Sequence, residues 1–174
     1  DISFQNGRFE VVGTSIGLGI FELAARQAEL SFSTETVKNL EERSWPNGCH
    51  IAEVEIDPET GRVRLIRHGT VDDTGNPINQ MIVEGQLHGG IAQGAGQVLL
   101  EQAVYDSEGQ ILTGSFMDYA MPRADDFPFF ESSTYTEAPC LTNPLGAKGV
   151  GEIGVVGSIP AIANAILDAL WERG

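Results

Sequence analysis

Apolar and polar positions along this chain follow two periods, and the changes from one to the other mark its elements. Short mixed runs at residues 2–4 and 8–12 flank Gln5-Asn6-Gly7, and Asn-Gly in that setting predicts a β-hairpin. Ile20, Phe21, Leu23, Ala24 and Ala28 then recur at helical spacing behind Thr14 and Ser15, which predicts an amphipathic helix with a hydroxyl cap. Residues 31–48 carry no clear period, and Trp45-Pro46-Asn47-Gly48 reads as a turn. From 50 to 57, Ile51, Val54 and Ile56 are largely offset from Glu53 and Glu55. Pro58-Glu59-Thr60-Gly61 turns the chain, and Val63, Leu65, Ile66 and Val71 continue a second strand, so a long antiparallel hairpin is expected. Asp72 to Pro77 reads as loop.

The period lengthens from about Asn79 to Gln102, where Ile82, Val83, Leu87, Ile91, Val98 and Leu99 share a helical face. That segment also holds Gly85, Gly89, Gly90, Gly94 and Gly96. Each interior glycine costs a helix about 1 kcal/mol relative to alanine, so close backbone packing or a close ligand must offset them. Val104-Tyr105 and Ile111-Leu112 form a short hairpin around Asp106–Gly109, residues 115–130 are irregular, and 131–136 alternate weakly as a strand. After Gly157, Ser158 is placed to cap a last helix with Pro160 in its first turn and Ile162, Ala163, Ile166, Leu167 and Leu170 as its apolar stripe. The expected class is α+β, with antiparallel or mixed sheet hairpins, packed helices and no βαβ alternation.

At 174 residues, one domain is expected, with a possible small hairpin–helix part over 1–46. Lysine and arginine number 10 against 25 acidic residues, a net charge of −15. That field repels phosphate backbones and anionic lipid heads, which argues against nucleic acid or a membrane surface as partner. No apolar run is expected to approach the roughly 18 residues of a membrane span, and no leader pattern opens the chain. Cys49 and Cys140, far apart, read as reduced thiols of a cytoplasmic protein. A start at Asp1 and an end just after Trp171 read as a piece of a longer polypeptide.

Candidate chemistry gathers in two glycine-rich stretches. Gly149-Val150-Gly151-Glu152-Ile153-Gly154 satisfies the dinucleotide spacing, but Thr142 to Lys148 before it is no strand, and the acid about 20 residues on, Glu172, lies in the wrong kind of element. Lys148 has no Ser or Thr after it, so the stretch is no phosphate loop either. What remains is a glycine-lined loop at a helix entrance with one carboxylate, Glu152. In a dry pocket that carboxylate would be pushed upward in pKa and serve as a general base, while on a surface it would only complement the helix dipole. Gln86 and Gln93, seven residues apart, share a helix face and could meet the edge of a heterocycle or simply face water. Asp57-x-Glu59-x-Gly61 fails the calcium-loop spacing, because the twelfth position is His68. His50, His68 and His88 have no metal-ligand spacing and read as structural or surface residues.

Read together, these stretches resemble the C-terminal part of the molybdopterin-binding large subunit of the xanthine oxidase family of molybdenum hydroxylases, and within it the aerobic carbon monoxide dehydrogenase group. The resemblance rests on five blocks in order: Asn47-Gly48-Cys49-His50; Val71-Asp72-Asp73-x-Gly75; Val83-Glu84-Gly85-Gln86-x-His88-Gly89-Gly90-Ile91-Ala92-Gln93-Gly94-x-Gly96; Gly114 to Asp125; and Asn143-Pro144-Leu145-Gly146-x-Lys148-Gly149-Val150-Gly151-Glu152.

The resemblance implies a lobe of the molybdenum-cofactor-binding domain, with Glu152 as the base taking a proton from a hydroxyl on molybdenum. It implies that Gln93 and Gly94, with Gln86, contact the pterin, and that Lys148, Gly149 and Gly151 line the cofactor near its metal end. The pterin, in its cytosine dinucleotide form, holds the metal, so no protein ligand is expected. Implied partners are the remainder of the large subunit, an FAD-binding medium subunit and a [2Fe-2S] small subunit. The upstream half and its substrate loop, which carries a copper-binding cysteine in carbon monoxide dehydrogenases, are absent from this sequence, so the resemblance leaves the substrate open. It also leaves two readings: a working part of a hydroxylase, or an isolated, cofactor-free and silent domain.

Overall fold

A computed structural model describes residues 1–27, 35 and 42–171. Ala28, most of the stretch 31–41, and Glu172 to Gly174 lie outside the described residues. The chain divides into two compact units, residues 1–39 and 40–174.

In the first unit, strands β1 (Ile2–Gln5), β2 (Arg8–Val11) and β3 (Gly17–Gly19) form an antiparallel sheet in that order. Asn6 and Gly7 take φ of 49° and 76°, the left-handed pair that a two-residue hairpin turn needs. Phe4 lies opposite Phe9, their rings 4.5 Å apart. Helix α1 (Ile20–Ala25) starts later than its expected cap. Thr14 serves the preceding turn, its hydroxyl donating to the Val11 carbonyl at 2.9 Å, and Glu22 reaches back to accept the Gly19 N–H at 2.8 Å. The acidic side chain thus replaces the expected hydroxyl at the helix entrance.

The second unit holds the expected long hairpin, β4 (Asn47–Ile56) and β5 (Val63–Asp73), joined through Asp57 to Gly61. β4 begins at Asn47, so Asn47 and Gly48 open a strand and are not part of a turn; Asp72 and Asp73, expected in a loop, end β5. β6 (Glu131–Tyr135) adds in parallel on the far side of β5, giving a mixed sheet of order β4-β5-β6. The hairpin expected around Asp106 is a single bridge between Tyr105 and Ile111.

Helix α2 (Gln80–Leu99) is capped by the Asn79 side chain, which accepts the Ile82 N–H. Helix α3 (Ile153–Trp171) begins five residues before its expected cap. Ser158 is therefore interior, and its hydroxyl donates to the Val155 carbonyl at 3.3 Å. Pro160 is also interior; the carbonyl it leaves unbonded belongs to Val156, an exposed residue that can turn toward water.

α3 corrects the composition reading too. It has 19 residues, and an 18-residue window in it has a mean hydropathy of 1.7, long and apolar enough to cross a membrane on those measures. Here it packs on α2 and β4. Leu65, Ile91, Ala95, Phe130 and Ile162 form the core, with Ala52, Val54, Phe127 and Ile166 around it. Burying a side chain such as Ile91 or Ile162 stabilises the unit by about 1.5–3 kcal/mol.

Candidate functional site

The two helices touch through their smallest residues. A methyl group added at Gly90 would lie 2.9 Å from the Gly154 Cα, and one at Gly154 would lie 2.6 Å from the Leu87 carbonyl oxygen. One at Gly94 would overlap the Ser158 hydroxyl. These contacts draw the residues before α3 close to α2, and a Cβ on Gly151 would come within 3.8 Å of the Gln86 amide nitrogen.

The loop ahead of α3 is tied to the end of β5. Asn143 braces it, accepting the Leu145 and Ala147 N–H groups and donating to the Ala147 carbonyl at 2.9 Å. Gly146, at φ 67°, turns its carbonyl to accept from both Asn76 and Cys140. Ala147 bridges Gly75, and the Lys148 N–H donates to the Thr74 carbonyl. The Lys148 ammonium is spent on Asp73 at 2.5 Å, a pair with side chains only 12% and 14% exposed. Burial alone would push the Asp73 carboxyl up, but hydrogen bonds from Lys148 and the Gly75 N–H, with the Lys148 charge, hold it below its ordinary value.

Between this loop, the start of β4 and the end of β5 lies an open cavity of about 590 Å³. Glu152, Gly149 and Gly151 line it, as do Trp45, His50 and Asp72. Glu152 stands immediately before α3 and its carbonyl accepts the Val156 N–H at 3.0 Å, so the side chain leaves from the helix entrance, as expected. Of the two settings weighed for it, a dry pocket or a surface, this chain by itself supplies the second, since Glu152 is exposed. Of the other site candidates, Gln86 borders Gly151 outside the cavity lining; Gln93 is exposed two turns further along α2; Gly94 is buried under Ser158 and Ile159; Lys148 is held on Asp73.

On the outward face of α2, Gly85 and Gly89 have nothing within 4 Å of where a Cβ would stand, and Gln86 and Gln93 are exposed beside them. Bare backbone next to two amide groups offers a flat surface with donors and acceptors at its edge, which suits a planar heterocycle. Among the described residues no group of three His, Cys, Asp or Glu side chains could hold a metal ion.

Sequence reasoning read His50 as structural or surface and gave Asp72 no part in the site. His50 Nε2 lies 3.4 Å from Asp72 Oδ1, with both side chains about 97% buried or more, and the Thr70 hydroxyl donates to Asp72 Oδ2 at 2.5 Å. The available signal was period two: His68, Thr70 and Asp72 alternate along β5 and are buried, and Thr74 just past its end is buried with them. Burial without partners for either ring nitrogen, aided by the nearby His50, lowers His68 to a pKa of about 4. His88 sits on α2 with its Nε2 3.0 Å from the Ser132 hydroxyl. Cys49 and Cys140 are free thiols.

Comparison with known proteins identifies the family of the chain. A sequence model described as "Molybdopterin cofactor-binding domain" matches residues 1–128. The gamma subunit of the 6-hydroxypseudooxynicotine dehydrogenase complex of Paenarthrobacter nicotinovorans is 35% identical over 98% of this chain and 22% of its own length. The carbon monoxide dehydrogenase large chain of Hydrogenophaga pseudoflava is 40% identical over 75% of this chain and 16% of its own. Quinoline 2-oxidoreductase from Pseudomonas putida 86 superposes with a TM-score of 0.86 at 34% identity, over 99% of this chain and 23% of that one. The chain thus spans less than a quarter of the length of these relatives.

Proposed function

This chain belongs to the molybdopterin cofactor-binding domain family of the xanthine oxidase-type hydroxylases, and we propose that it contributes the catalytic base and one wall of the cofactor pocket to such an enzyme. Glu152 is the base. It stands at the entrance of α3 on the rim of an open cavity, and this placement is the observation that carries the reading. Gln86 and Gln93 would hold the pterin through their amides, with Gly85 and Gly89 letting its plane approach the helix backbone.

When bound, the cofactor supplies a Lewis acid and an acceptor for the electrons of the oxidation. The chain's own part is proton transfer and orientation. Glu152 takes the proton from the water-derived hydroxyl that attacks the substrate carbon, and its carboxylate holds that proton during the attack. The remainder of the large subunit closes the cavity and excludes water, which strengthens that step by desolvation. The cytosine dinucleotide form of the pterin, an FAD-bearing subunit and a [2Fe-2S] subunit complete the same proposal. The substrate class spans carbon monoxide, aldehydes and N-heterocycles.

In the assembled, molybdenum-loaded enzyme, Glu152→Gln is expected to lower kcat by about a thousandfold, in the range general-base removal produces, with molybdenum content unchanged. Turnover within a few fold of the parent would remove Glu152 from the chemistry.

A second reading applies to the chain on its own. Glu152, Gln86 and Gln93 are all exposed, as are Phe116, Met117 and Trp171. One wall of a pocket buries too little of a large cofactor to retain it. The isolated chain is expected to carry well under one molybdenum per molecule by elemental analysis; a stoichiometric amount would overturn this second reading.

A further inference from the structure

The cavity that presents Glu152 has two other titratable side chains in its lining, His50 and Asp72, and the chain makes room for both with glycine. Gly48 stands opposite Asp72 in the β4–β5 register, and a Cβ there would overlap the Asp72 carboxylate. Gly157 lies under the His50 ring, and a Cβ there would overlap its Cδ2. Each oxygen of Asp72 has one donor within reach: Thr70 Oγ1 at 2.5 Å on Oδ2, and His50 Nε2 at 3.4 Å on Oδ1. The other ring nitrogen, Nδ1, is buried without a hydrogen-bond partner among the described residues. A buried N–H without an acceptor is costly, so the ring carries its proton on Nε2 and leaves a bare lone pair on Nδ1.

The ring so fixed bears on the first turns of α3. Gly157 is five residues past Glu152, and the Glu152 carbonyl accepts from Val156 at 3.0 Å in the turn between them. Asp72 therefore orients His50, His50 seats the start of the helix, and the helix start sets where the Glu152 carboxylate stands. We infer that His50, held by Asp72 and Thr70, is a positioning residue for Glu152. This rests on the reading of Glu152 as the base. A base must meet its proton within a few tenths of an ångström, and a shift of about 1 Å in such a group can cost about a hundredfold in rate.

The test uses two variants at one position and a measurement on the unaltered chain. His50→Phe keeps a ring against Gly157 but cannot donate to Asp72, whereas His50→Gln keeps a donor. In the molybdenum-loaded enzyme, His50→Phe is expected to lower kcat by about tenfold with KM and molybdenum content within about twofold of the parent, and His50→Gln to recover most of that loss. Nitrogen-15 spectra of this chain, with no cofactor, are expected to show the Nε2–H tautomer of His50.

Parent-like kcat in His50→Phe, equal losses in both variants, or loss of molybdenum in step with kcat would overturn the positioning role. If His50→Phe fails to assemble, the tautomer decides, and an Nδ1–H ring overturns it. Glu152→Gln separates the two ideas. If it abolishes turnover while His50→Phe does not, only this inference falls; if it leaves turnover intact, the reading of the base falls first.

Discussion

Gly90 and Gly94 lie one turn apart on α2, and Gly85 and Gly89 lie one turn apart on the same helix, yet they answer to different physics. The first pair presses on α3, where an added methyl would meet the Gly154 backbone or the Ser158 hydroxyl. The second pair presses on nothing within 4 Å. The loop and the start of α3 repeat the division: Gly154 and Gly157 in the helix are tight against α2 and His50, while Gly149 in the loop is open. Glycine on the packed side is offset within the fold by closer helix contact. On the open side it costs helix stability, about 1 kcal/mol per residue, with no offsetting contact among the described residues. A helix that keeps such residues is shaped for something that binds it, and in the proposed function that is the planar pterin.

The packed side gives the largest expected effect. Gly154→Val inserts a branched side chain where even a Cβ lies 2.6 Å from the Leu87 carbonyl oxygen and 3.0 Å from Gly90. Backbone on both sides cannot rotate away, so the helices must separate. A loss of about 3 kcal/mol is expected, read as a fall of about 10 °C in the melting temperature of the isolated chain. A melting temperature unchanged by this substitution would erase the distinction between the two sets of glycines.

Acid probes the packed side in a second way. The unfolded chain protonates His68 near pH 6.5, but the folded chain does so only near 4, because burial and the neighbouring His50 disfavour the charged ring. Above pH 6.5 both states are neutral and the residue adds no pH dependence. As pH falls from 6.5 to 4 the unfolded state binds more protons, and about 3 kcal/mol of stability is lost. His68→Leu should flatten urea-unfolding stability over that window relative to the parent. Equal slopes in the two proteins would mean that the ring meets water in the folded chain.

How much of this was legible in the sequence depended on whether the cause was local. The β4–β5 hairpin and α2 followed from alternation, the Pro58 to Gly61 turn and the helical spacing from about Asn79, all properties of neighbouring residues. The start of α3 did not. Gly157, Ser158 and Pro160 imitate a helix entrance, and only the packing of Gly154 on α2 and of Gly157 on His50 shows why the helix runs through them. Glu152 at the mouth of that helix was readable from its glycine-rich block, but the choice between a dry pocket and a surface was not, because what covers a cavity lies far away in sequence. His50 and Asp72 escaped for a related reason. β5 hides His68, Thr70 and Asp72 and exposes Val71, and its partner strand exposes Ile51, so the usual rule of apolar inside and polar outside points the wrong way at this sheet.

The open side should respond in the opposite sense and by less. Gly85→Ala and Gly89→Ala each place a methyl group where the chain has free space. They also remove backbone freedom that the unfolded state enjoys and the helix must give up. Each is expected to stabilise the isolated chain by up to about 1 kcal/mol, a rise of a few degrees in melting temperature. In the assembled enzyme the same methyls would stand between α2 and the pterin, lowering molybdenum content per subunit while leaving the fold intact. The pairing of those two results carries the comparison, because a packing defect would lower both quantities together and an inert surface would raise the first and leave the second alone. Gly85→Ala serves as the internal scale for Gly89→Ala: Gly89 lies between Gln86 and Gln93 along the helix, while Gly85 precedes both. If the amides clasp the heterocycle, the loss of molybdenum should be greater at Gly89, and equal losses would shift the contact toward the start of the helix.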